Sequence, residues 1–306
     1  MIDQAADVPP GFEGVDFPEL ERSLRSPRTL FSAFMSVLVG VMTILAAVPL
    51  FAVLGMLIYR GGRKLSLETF TGTPPSAFAS GGGFGNAIVG TLVMVGIAAA
   101  ISVPFGILAA AFLAEFGKDG KVAATVRSCA RILTGFPSIL AGVFAYASVV
   151  LLTGTYSAPA GGIALSLLML PTVMLTAEEA IRMVPQRMKE AAIGMGCNPT
   201  QVMLKITIPT AMPGVLTGVM LAVARAAGET APLLFTALFS NFWIIENRQS
   251  QIMEPTASLA VLIYNFSGMP FENQIEMAWA ASLVLVMLVL GFNILGQVFS
   301  RRTITR

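Results

Sequence analysis

Five stretches of this chain, residues 29–59, 69–114, 132–177, 206–224 and 277–300, contain no Asp, Glu, Lys or Arg. A helix that crosses a bilayer needs roughly 20 apolar residues, because nothing in hydrocarbon can solvate a stray charge or an open backbone. Each run meets or approaches that length. A soluble domain carries about 25% charged residues, whereas here 12% are charged and 55% hydrophobic. With a mean hydropathy of +0.78, the pattern specifies an all-α, polytopic membrane protein.

Six membrane helices follow from the runs. The run 132–177 is long enough for two, with Gly154, Ser157, Pro159, Gly161 and Gly162 marking the turn between them. In 69–114 the first half, TGTPPSAFASGGGFG, could not satisfy its backbone in lipid, so one helix is expected, from about Asn86 to Phe116. The run from Ile206 contains Pro209 and Pro213 and continues to Phe242, broken in charge only by Arg225 and Glu229, as one interrupted span.

Lys and Arg near helix ends set the expected sidedness. With the N-terminus inside, fourteen of them (Arg22, Arg25, Arg28, Lys118, Lys121, Arg127, Arg131, Arg182, Arg187, Lys189, Lys205, Arg301, Arg302 and Arg306) fall on the cytoplasmic side. Only four, Arg60, Arg63, Lys64 and Arg248, fall outside. Both termini are therefore expected in the cytoplasm. The acidic N-terminal stretch precedes an apolar run too long for a secretory h-region, so no cleaved signal peptide is expected.

The chain offers little chemistry of its own. It contains no His and two separated cysteines, Cys129 and Cys197, so neither a transition-metal centre nor a Ser-His-Asp triad is expected. No GxxxxGK[ST] loop is present to cradle nucleotide phosphates, and the cluster Gly81–Gly85 lacks a lysine. No enzyme activity, cofactor, metal or nucleic-acid partner is expected. Energy for any driven process must come from another chain.

Between the fourth and fifth spans lies a polar segment, Glu178 to Lys205, with Ile181, Val184, Met188, Ala191 and Met195 at helical spacing. That describes an amphipathic element at the membrane surface, divided into two short helices by Gly194, Gly196, Asn198 and Pro199. From periodicity alone it is either a solvated loop or a docking surface.

Within it, Glu190, Ala191 and Ala192, then Gly196, Ile206 and Pro209, resemble the EAA signature of importer permeases in ATP-binding cassette (ABC) systems, with Ile208 in place of the usual leucine. The resemblance extends from about Gly82 to Asn293 and narrows to the A-subunit family of phosphate-specific permeases. It is carried by NAIVGTL (86–92), LAEF (113–116), FPSILAG (136–142), TAEEAIRMVP (176–185), ARAAGETAPLLFTA (224–237), MEPTASLAVLIY (253–264) and AWAASLVL (278–285). Leu175 stands where many relatives have arginine, and Asn198, Pro199 and Thr200 where many have an aromatic residue.

The resemblance implies a type I importer permease core of the MetI-like class, in the inner membrane of a bacterial cell. It also implies that Glu190, Ala191, Ala192, Gly196, Ile206 and Pro209 couple to a cytoplasmic ATPase. The implied partners are a companion phosphate permease forming a heterodimer, two copies of the ATP-binding subunit and an external phosphate-binding protein.

Arg225 and Glu229 are charges deep in an apolar segment, four residues apart on one helix face, and an isolated charge there costs at least a few kcal/mol. Two readings stand side by side: a self-contained ion pair that locks packing, or a guanidinium fork offered to phosphate oxygens with Glu229 orienting it. Together with Thr230 they form the candidate substrate pathway. Gly214 and Gly218, with Gly90, Gly96, Gly106 and Gly142, suggest close helix packing.

The expected organisation is a cytoplasmic tail (1–28), a first span (29–60), an external linker (61–85), a permease core (86–300) containing the coupling segment 178–209, and a tail (301–306). The expected function is one half of an ATP-driven phosphate import path. The alternatives are an ABC permease for another oxyanion or an amino acid, or an ion-gradient-driven secondary transporter, although no internal repeat supports the latter.

Overall fold

A computed structural model describes residues 27–117, 120–246 and 249–304. The expectations for most of the N-terminal tail and for Lys118, Arg248 and Arg306 lie outside them. Contacts group the chain into two units, residues 1–55 and 56–306.

The described part of the first unit is helix. Helix α1 runs Pro27–Lys64, with its last turns in the second unit. No residue of Pro27–Met56 is buried, and beyond Arg28 its large exposed side chains are Leu, Phe, Val, Ile and Met. A helix apolar on all sides is a membrane span.

In the second unit the order is α2 (Leu67–Thr71), α3 (Gly85–Phe116), α4 (Lys121–Thr134), α5 (Ser138–Thr153), α6 (Ala158–Arg182) and α7 (Gln186–Gly194). There follow α8 (Pro199–Gly228), α9 (Ala231–Thr236), a hairpin of β1 (Ile245–Glu246) and β2 (Gln249–Ser250), α10 (Leu259–Ser267) and α11 (Glu272–Ile304). The core lies where α3, α6 and α8 meet, filled by Met94 and Ala98, by Leu165, Met169 and Val173, and by Val215, Val219 and Ala222.

Small residues let these backbones close up. A Cβ on Gly214 would lie 2.7 Å from Ala180 Cβ, and one on Gly218 would collide with Thr176, so the glycine pair of α8 seats directly on α6. Gly90, Gly106 and Gly142 are similarly crowded, but Gly96 has no neighbour within 4 Å and does not serve close packing.

The structure refines two of the expected spans. The third is α5, 16 residues long and joined to α4 through a 104° bend. Phe136 precedes Pro137 there, and a proline ring drives the residue before it out of the helical region. The fifth span begins earlier, because the second short helix expected in the polar segment is the first turn of α8; Asn198 and Gln201 form a capping box with Pro199 at the first helical position. That span ends at Gly228, where Glu229 is extended (ψ 125°) before the short α9.

The expected linker before α3 and the connection between the last two spans both contain helix. Residues 61–85 include α2, capped by Ser66, and Asn273 and Gln274 at the start of α11 donate to Ala79 O and Gly81 O and to Pro75 O of that connection. Helix α10 is largely buried through Leu259, Ala260, Val261, Leu262 and Phe266. Thr91 of α3 accepts from Leu259 N at 2.9 Å and Ser258 from Val261 N, which close its first turn.

These links gather residues 60–86 and 240–276 at one end of the unit. Arg60 stacks over Trp279 and Lys64 pairs with Glu276 there. At the other end lie the C-terminus of α3, α4, the C-terminus of α6 and α7.

Candidate functional site

The α7 end is built from the sequence motif outward. Helix α7 follows Pro185 and stops at a left-handed glycine, Gly196, with φ +87°. Gly196 N donates to Ile193 O (2.9 Å) and Cys197 N to Ala192 O (3.1 Å), a Schellman closure. No atom lies within 4 Å of where a Cβ would stand, so the fixed glycine is required by backbone conformation and not by space.

The helix turns two faces to its surroundings. Ala192 is buried with Ile181 and Val184, while Glu190 and Ala191 are exposed beside Met188, Ile193 and Met195, the last 77% exposed. The apolar stripe expected from periodicity is therefore split. Its first part seats the segment on the bundle, and Met188, Ala191 and Met195 stay bare. Ile206 is half-buried in a wide π turn, Met203–Thr207, and Pro209 follows it in exposed backbone.

Buried charge holds α7 in place. Lys189, 5% exposed, is ion-paired with Glu115 in the last turn of α3. Close by, Glu178 Oε1 accepts from Arg127 Nε of α4 (2.7 Å) and Arg182 Nη2 (2.8 Å), and Arg127 also donates to Leu113 O (2.8 Å). Leu113 and Glu115 both lie in a π turn, Phe112–Phe116, whose widened hydrogen-bond pattern displaces carbonyls from the regular ladder. A cavity of about 400 Å³ opens beside Leu175, lined by Arg127, Arg131, Glu178, Glu179 and Arg182. Three arginines and two glutamates thus share this cavity with Leu175.

Sequence reasoning missed Lys189 and Glu115 as a pair. The signal was there in LAEF, whose glutamate ends a long charge-free run, but its partner lies 74 residues away.

Arg225 and Glu229 lie elsewhere, at the last turn of α8. Arg225 Nε meets Glu229 Oε1 at 3.4 Å, a long contact, and the Arg225 side chain is 41% exposed against 16% for Glu229. The Nη atoms of Arg225 donate to no other group among the described residues. Thr230 forms the corner between α8 and α9, its carbonyl accepting from Leu233 N and Leu234 N. The structure thus brings Arg225, Glu229 and Thr230 together and keeps them apart from α7, at the opposite end of α8.

This architecture, a membrane core with a separate exposed motif helix, has known counterparts. The family profile described as "Binding-protein-dependent transport system inner membrane component" matches residues 102–305. The phosphate transport system permease protein PstA of Haemophilus influenzae is 39% identical over 249 residues, 81% of this chain and 86% of that protein. The chain belongs to the PstA family of transport permeases.

The Pasteurella multocida PstA protein is 36% identical over 91% of this chain and 95% of its own length. Among solved structures, the permease shares its fold with a chain of the inward-facing MetNI methionine ABC transporter (TM-score 0.56, 21% identity, covering 71% of this chain and 93% of that one). A chain of a bacterial alginate ABC transporter, solved with an alginate-bound periplasmic protein, matches at TM-score 0.64 and 16% identity over 92% of this chain and 98% of that one.

Proposed function

We propose that this permease forms half of a transmembrane path for inorganic phosphate, driven by ATP hydrolysis on a separate cytoplasmic ATPase. The observation that carries the cargo is 36–39% identity over most of the chain to proteins named as phosphate permeases. The other half of the path comes from a companion permease in a heterodimer. Two ATPase copies dock at the cytoplasmic end, and a phosphate-binding protein delivers at the other. With α7 inside, Lys121, Arg127, Arg131, Arg182, Arg187 and Lys205 lie on the cytoplasmic side and Arg60, Arg63 and Lys64 outside, as the positive-inside rule requires.

Glu190, Ala191, Ala192, Gly196, Ile206 and Pro209 serve coupling. Support comes from the exposed apolar side chains of α7, which a helix at a membrane surface would hide unless a partner covered them. Arg225, Glu229 and Thr230 serve the path. A single long contact at Nε leaves the guanidinium edge available, which favours the fork over a self-contained pair. Closure of the ATPases moves α7, and the spans attached to it alternate access between the two sides.

The test of cargo is competition. The complete transporter in proteoliposomes takes up labelled phosphate, and an excess of unlabelled phosphate suppresses uptake while sulfate and methionine do not. Suppression by either of the latter, or transport of it, contradicts the assignment.

A further inference from the structure

Five charged groups at the α7 end are tied into ion pairs that the path and the docking face do not explain. Lys189 is buried within α7, next to outward-facing Glu190, and its partner Glu115 lies in the terminal π turn of α3. Arg127 of α4 grips the same turn through Leu113 O and grips α6 through Glu178. A buried ammonium is costly unless paired, and with Lys189 buried and Glu115 only one-fifth exposed the pair is largely withdrawn from solvent, so it transmits displacement where an exposed pair would yield.

Helix α3 makes the pairing consequential. It is a 32-residue rod, about 48 Å long at 1.5 Å per residue. At its far end, Asn86 donates to Ser240 O (3.0 Å) and Phe242 O (3.3 Å) of the segment after α9, and Thr91 accepts from Leu259 N of α10. One continuous element therefore joins the helix proposed to meet the ATPase to the structures around the opposite mouth.

We propose that the Lys189–Glu115 pair is a coupling pin: it fixes α7 to α3, so that movement of α7 is delivered along α3 to the α9–α10 region. Lys189 and Glu115 are positioning residues that touch neither phosphate nor ATP. Arg127 and Glu178 brace the pinned turn against α4 and α6. The pin rests on the reading of α7 as the ATPase-coupling helix, and the experiment separates the two.

The complete transporter is reconstituted with Lys189→Met, Glu115→Gln, the swap Glu115→Lys/Lys189→Glu, the conservative Lys189→Arg, and Glu190→Ala. Measured for each are retention of the ATPase on purification, ATP hydrolysis stimulated by phosphate-loaded binding protein, and phosphate imported per ATP. The pin predicts that Lys189→Met and Glu115→Gln retain the ATPase and its hydrolysis but lose tenfold or more in phosphate per ATP. Lys189→Arg and the swap recover at least a third. Unchanged phosphate per ATP in Lys189→Met overturns the pin, as does a swap that assembles normally without recovering coupling. If Lys189→Met fails to assemble, the swap and Lys189→Arg decide by the same ratio. If Glu190→Ala loses ATPase retention or coupling while Lys189→Met loses neither, the pin alone falls. If neither variant has any effect, the coupling role of α7 falls with it.

Discussion

Gly196 shows how one motif residue sets the shape of the α7 end. Its φ of +87° closes α7, and an alanine there would meet the steric cost of the left-handed region, roughly 1–2 kcal/mol. Gly196→Ala is expected to weaken the ATPase association of the purified complex without disturbing the membrane core, which binding titrations against thermal unfolding of the permease would separate. The EAA triplet divides in the same way: Glu190 and Ala191 face outward while Ala192 is 1% exposed. At the other end of α8, Arg225→Gln is expected to lower phosphate uptake at least tenfold with assembly intact. Arg225→Lys should recover only part, because an ammonium lacks the planar fork. Full uptake in Arg225→Gln returns Arg225 and Glu229 to a packing role.

Elements were legible in proportion to how local their cause is. Charge-free runs announce spans, and α1, α3, α6 and α11 appear where those runs predict, while α8 begins before its run and stops at Gly228. Helix α10 has no such signature. Its apolar stretch is too short to cross a bilayer, and it is held by long-range contacts to α3 and by packing against Met277 and Ala281 of α11. The shortness of α5 was hidden for a related reason, since the bend at Pro137 trades one straight span for two elements. Burial of Lys189 could not be read either, because sequence shows a charge but not its distant partner. Asn86 tests the long-range links at this scale. Its amide satisfies the carbonyls of Ser240 and Phe242, so Asn86→Leu leaves both orphaned and should cost about 1–3 kcal/mol, seen as a lower unfolding temperature in detergent. An unchanged temperature would show that the connection after α9 is held by other contacts.

At the scale of the whole molecule, large apolar faces remain uncovered. Ile139, Val143 and Phe144 of α5, and most of α1, are exposed in the single chain, as befits helices that cross a membrane. The family is readable from about Gly82 to Asn293, because the motifs that carry the resemblance fall on distinct elements: LAEF on α3, the EAA stretch on α7, and ARAAGETAPLLFTA across the break between α8 and α9. In the proposed function, ATP hydrolysis on a partner chain drives phosphate through this permease. The most direct measurement of this is labelled phosphate uptake by proteoliposomes holding both permeases, the ATPase and the phosphate-binding protein, with ATP or an imposed sodium or proton gradient as the energy source. Uptake that requires ATP, stops when the ATPase is omitted and ignores either gradient is the predicted result. Uptake driven by a gradient without the ATPase would contradict it.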